Sequence, residues 1–101
     1  MPLLRIFTNV PKNKIPKDFV DKVMPVMVAA LGKPVEKMIC VISGDTPVSF
    51  AGQSQEPAAV ADLVSIGSLG PDENQRITRA LSQFIQKEIG VPSNRSQEYG
   101  F

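Results

Sequence analysis

The chain has 101 residues, 43% of them hydrophobic, with 11 Lys and Arg against 10 Asp and Glu for a net charge of +1. A length of that order suits one domain, 1–101, and a small domain gains from partner subunits because it buries a modest share of its own surface. Near-neutrality gives no field for nucleic acid or an anionic membrane surface. The absence of histidine and the single cysteine remove Ser-His and Cys-His catalysis, imidazole metal ligation and any intrachain disulfide.

The chain opens MPLLRIFTNVP, and Leu3–Thr8 reads as a strand. Pro2 at its head has two readings. It sits where a strand loses nothing by lacking an N–H, or Met1 is removed and Pro2 becomes a free secondary amine. LLRIF is too short, and carries Arg5, to be a signal-peptide core. From about Pro16 an apolar stripe of Phe19, Val23, Val26, Met27 and Ala30 predicts a helix. Gly32 and Pro34 end it, and Pro25 inside it predicts a kink.

Lys37–Ser43 is the next strand and GDTP a turn. Cys40 lies in the apolar run MICVIS and reads as an inert core thiol. VSF has the character of a short strand and Ala58–Ile66 of a longer one. Pro71 opens a second helix, with Asp72 and Glu73 suiting its dipole and Ile77, Ala80, Leu81, Phe84, Ile85 and Ile89 on one face. Gly90 and Pro92 close it. No Gly-rich phosphate loop is present, so no nucleotide cofactor is expected. No stretch is long and apolar enough to span a bilayer.

Both helices end Gly-x-Pro, in LGKP and IGVP. The same separation pairs the first strand with Val60–Ile66, and the strand at Cys40 with the tail near Glu98. The chain therefore reads as two βαβ halves. Two helices over one face of four apolar strands leave the other face bare, and self-association is the simplest cover.

The segments MPLLRIFTNVP, LGKP, SQEPAAVADLVSIG and IGVPSNR occur in this order over roughly residues 1–95. With them the chain resembles the macrophage migration inhibitory factor and D-dopachrome tautomerase family. The resemblance implies an α+β two-layer sandwich of two pseudo-symmetric βαβ units. These would form a four-stranded mixed sheet with two helices on one face, assembled as a homotrimer. It implies keto–enol tautomerase activity on phenylpyruvate- or dopachrome-type substrates, without metal or cofactor. Pro2 would be the general base after methionine removal. Lys33 would meet a substrate carboxylate, and Ser65 and Ile66 would line the pocket. Taken alone, Lys33 reads as a helix C-terminal cation, Ser65 as a turn hydroxyl and Ile66 as core.

Two departures from the family accompany the resemblance. Its Cys-x-x-Cys segment is Ala58-Ala59-Val60-Ala61 here, which removes thiol–disulfide chemistry. Its pocket-closing aromatic near the tail is Gln97, and the family continues into a further strand used in subunit contacts, so reduced activity is expected. The alternative function is a cytokine-like receptor-binding protein with a vestigial pocket, cytoplasmic or secreted without a signal peptide. A regulatory βαβ module without catalysis is the third reading.

Overall fold

The structure is a computed structural model that describes residues 2–65 and 70–100. The elements run β1 (Leu3–Thr8), α1 (Phe19–Leu31), β2 (Ile39–Ser43), β3 (Ala59–Val64), α2 (Pro71–Ile89) and β4 (Ser96–Gly100). The sheet order is β2-β1-β3-β4, with β1 parallel to β2, β3 parallel to β4, and β1 antiparallel to β3. This is the expected pair of βαβ units, joined through their first strands.

The two Gly-x-Pro signals build the same local structure twice. Gly32 and Gly90 end their helices at φ +66° and +73°, a left-handed conformation that a Cβ would disfavour. Each backbone N–H there bonds back to a helix carbonyl, Val28 O or Gln86 O. Pro34 and Pro92 then hold the chain extended, and one 3-10 turn follows each, Val35–Lys37 and Ser93–Arg95. A strand begins directly or one residue later.

The period-2 pattern of β1 puts Leu4, Ile6 and Thr8 inside and Arg5 and Phe7 outside. Leu4, Ile6, Ala59, Ala61 and Leu63 form the sheet's contribution to the core. Phe19, Val23 and Met27 of α1, and Ile77, Leu81 and Ile85 of α2, bury against them. The helices meet through Phe19 and Phe84, whose ring centroids are 5.1 Å apart, and through a 2.6 Å ion pair from Lys22 to Glu88.

The other sheet face has no helix. It carries Phe7, Ile39, Val41, Val64 and Tyr99, each at least 38% exposed. At its centre Arg5 donates to both carboxylate oxygens of its cross-strand partner Asp62.

Several expected boundaries move. The first helix begins at Phe19, because Pro16 opens a preceding turn whose carbonyl accepts the Phe19 N–H. The helix runs through Pro25 without interruption. Pro25 and Asp21 are both exposed, so water reaches the carbonyl that proline leaves without a donor. The second strand starts at Ile39, since residues 35–37 form the 3-10 turn, and the third ends at Val64. VSF forms no strand. Phe50 and Gln53 instead close a two-residue hairpin over Ala51 and Gly52, both at positive φ.

One position on the helix side of the sheet contradicts its surroundings. Glu98 pairs with Ala61 on the helix side of β4. Its Oε2 is buried with no hydrogen-bond partner among the described residues. Burial raises its carboxyl above the ordinary range, against a smaller opposing effect of the Ser96 hydrogen bond. A carboxyl more basic folded than unfolded favours folding at low pH and opposes it once ionised. Stability should therefore fall as pH rises from the unfolded value of about 4.3. Glu98→Gln is expected to raise the melting temperature at pH 7, with the gain shrinking as pH approaches 4. Equal melting curves at pH 7 would show that the carboxylate is solvated.

Candidate functional site

The predicted site residues come from three separate elements. Pro2 precedes β1 and is less than 2% exposed. Its carbonyl accepts the Ile39 N–H at 2.9 Å, so it extends the β1–β2 ladder from the acceptor side, where no donor is needed. Lys33 follows the left-handed Gly32 that ends α1 and is partly buried. Ser65 follows the last residue of β3 and is 5% exposed. Ile66 lies outside the described residues.

The β1–β3 ladder gathers these positions. Its terminal pair is Leu3 with Val64, so Pro2 and Ser65 are the next residues on facing strands. Ser65 also meets Lys33: Nζ donates to Oγ at 2.6 Å. Ser65 thus lies one step beyond the ladder's last pair, as Pro2 does, and is hydrogen-bonded to Lys33. The Lys33–Ser65 contact has no signature in the residues' spacing, because the sheet register brings the end of α1 to the end of β3.

The electrostatics at this end are one-sided. The ion pairs among the described residues are Arg5–Asp62 and Lys22–Glu88, so Lys33 has no carboxylate partner there. A hydroxyl orients an ammonium without cancelling its charge. Lys33 therefore keeps its capacity to attract an anion. Cys40 adds no nucleophile, since burial pushes its thiol up to about 11 and leaves it protonated near neutral pH.

A second cluster was missed in the sequence. The Arg95 guanidinium donates to the carbonyls of Gln53, Glu56 and Pro57 at 2.9–3.0 Å and lies 5.6 Å from the Phe50 ring centroid. It clasps the loop before β3 to the start of β4. Its donors are spent on backbone carbonyls, so its work is structural.

Two βαβ halves in one mixed sheet, with the helices on one face, define a tautomerase-type two-layer α+β domain. A family model described as macrophage migration inhibitory factor matches residues 1–97, and the chain belongs to that family. It is 37% identical over 95 residues to a macrophage migration inhibitory factor homolog of Brugia malayi, covering 94% of this chain and 82% of the relative. It is 32% identical over 95 residues to the MIF-like protein mif-2 of Caenorhabditis elegans, covering 94% and 78%. The solved macrophage migration inhibitory factor of Trichinella spiralis matches with a TM-score of 0.89 at 28% identity, covering 96% of this chain and 85% of that one. The family lies in the tautomerase superfamily, which supports isomerase chemistry in general terms. No helix among the described residues is long and apolar enough to cross a membrane.

Proposed function

We propose that this chain is a keto–enol tautomerase of the phenylpyruvate and dopachrome type, with Pro2 as general base. The observation that carries this reading is the meeting of three groups at one end of the sheet. A buried proline heads β1, a buried hydroxyl sits opposite it, and an ammonium without a carboxylate partner among the described residues is bonded to that hydroxyl.

Removal of Met1 would turn the Pro2 nitrogen from an amide into a secondary amine. In water a terminal amine has a pKa of about 7.7–8.0, and proline lies higher. Burial disfavours the ammonium form, and the Lys33 charge acts in the same direction. The neutral amine would take a proton from the carbon α to a carbonyl, leaving an enolate. The resulting ammonium would return a proton at the other end of the keto–enol system. Lys33 would attract the substrate carboxylate, which favours small aromatic keto acids over esters. Ile66 and Ser65 complete the proposed lining.

A homotrimer would cover the apolar sheet face that the helices leave bare, and Gln97 and Tyr99 of β4 lie on that face. Gln97 replaces the family's aromatic, so activity weaker than that of members keeping the aromatic is part of the proposal. Family membership also supports a cytokine-like, receptor-binding role, cytoplasmic or secreted, that does not need turnover.

Intact mass is expected to show loss of Met1, and Pro2→Gly is expected to lower phenylpyruvate turnover by at least ~10²-fold, the low end for losing a positioned base. Near-normal turnover in the variant would remove Pro2 from catalysis, and a receptor contact that persists in it would separate binding from chemistry.

Lys33→Ala is expected to raise the KM for phenylpyruvate by about tenfold, since a hydrogen bond to a charged group contributes ~1.5–3 kcal/mol and one decade is ~1.4. Dopachrome methyl ester, which lacks the carboxylate, should lose much less. Equal losses on acid and ester in steady-state kinetics would leave Lys33 as a helix cap only.

Sedimentation at micromolar concentration is expected to give three times the monomer mass. A stable monomer would overturn the assembly.

A further inference from the structure

We infer that Ser65 acts through Lys33, as a positioning residue that fixes the ammonium at the head of β1 while leaving its charge uncancelled. This deepens the tautomerase reading and rests on it for the kinetic part. Lysine has a long, flexible four-carbon stem with large rotamer freedom, so an untethered ammonium samples many positions. Here its anchor is a hydroxyl 2.6 Å from Nζ, on a residue that is 5% exposed and directly follows a ladder-paired strand. The strand fixes the hydroxyl, and the hydroxyl fixes the cation.

The chemistry of the anchor matters. A carboxylate at position 65 would pair with Lys33 and compete with an incoming anion. An apolar side chain would leave the four-carbon stem free. A neutral acceptor does neither. Because Oγ accepts from Nζ, the serine proton is directed elsewhere, and no described residue accepts it. Among the described residues Ser65 is the one hydrogen-bond partner of the Lys33 ammonium, which has three N–H donors. Two effects of Lys33 depend on this placement, its attraction for a carboxylate and its electrostatic pressure on the Pro2 amine.

The test combines a direct measurement with a double-mutant cycle, on the full chain with its N-terminus as produced. NMR relaxation of the lysine side chains should show Lys33 markedly more restricted than exposed Lys12, Lys14 and Lys17. In Ser65→Ala that restriction should disappear. In kinetics, Ser65→Ala should raise the phenylpyruvate KM about threefold to tenfold, the range for one lost hydrogen bond, with little change for the methyl ester. The apparent pKa of the base in the kcat/KM profile should rise towards that of Lys33→Ala. In a Lys33→Ala background, Ser65→Ala should add nothing, because its effect passes through the missing ammonium. A Lys33 as mobile as Lys14 in the unsubstituted protein would overturn the tether without any variant having to fold. Additive losses, or equal losses on acid and ester, would overturn it as well. A restricted Lys33 in a protein without tautomerase turnover would keep the tether and refute the catalytic reading instead.

Discussion

The antiparallel pairing of β1 with β3 is the constraint from which the rest follows. Each βαβ unit alone would be a two-stranded parallel ribbon under one helix, too small to bury its own apolar faces. Joining the units through their first strands makes one four-stranded sheet and sets both helices on the same side of it. The six pairs from Leu3–Val64 to Thr8–Ala59 also fix what stands at each end. A slip of one residue would turn Leu4 and Ile6 out of the core and Arg5 and Phe7 into it. It would also move Pro2 away from Ser65, so the burial pattern that selects the fold selects the site geometry as well. The opposite end of the ladder is locked by polar groups. Thr8 Oγ1 donates to the Ala58 carbonyl at 2.7 Å, and Asn9 Oδ1 accepts the Ala58 N–H at 2.9 Å. These bonds seat the start of β3 against the end of β1 and help hold the register.

Much of this was legible in the residues because the signals were local. The amphipathic spacing of α2, the Gly-x-Pro endings and the alternation in β1 each follow from short-range chemistry, and each has its expected counterpart. The likeness of the two endings carries the internal repeat in the residues themselves. Errors came where a local signal had more than one outcome. Pro16 suits a first helical position, but it suits a turn equally, and the helix waits for Phe19. VSF has strand composition, yet Pro47 lacks a ladder donor and the left-handed Ala51–Gly52 corner turns the chain back at once.

The site was less legible, for a different reason. Pro2, Lys33 and Ser65 were named from a family pattern, and nothing in their spacing says that they meet. Lys33 and Ser65 are brought together by the helix length, the handedness of the crossover and the strand register acting at once. Arg95 illustrates the same limit. It reads as one basic residue in a polar stretch, yet it gathers carbonyls from the loop Phe50–Pro57, where several backbone acceptors would otherwise depend on water. Contacts between residues far apart in sequence follow from topology, and composition does not record them.

The distribution of charge ties fold and site together. Arg5 and Lys22 are each answered by a carboxylate, one pair crossing the bare sheet face and the other bridging the two helices. Both charges are thereby kept for architecture. In each pair the hydrogen bond to the carboxylate is the leading influence on the basic group, and it holds the group protonated. Lys33 stands apart, bonded to a neutral hydroxyl at the only described point where the ladder, the end of α1 and the buried proline converge. Glu98 is the converse case, a carboxylate partly buried on the core side without a cation to answer it among the described residues. A fold free to minimise electrostatic cost would bring a carboxylate to the lysine. That the end of β3 instead holds a serine there leaves the Lys33 charge without a carboxylate partner among the described residues, and an unanswered cation draws anions.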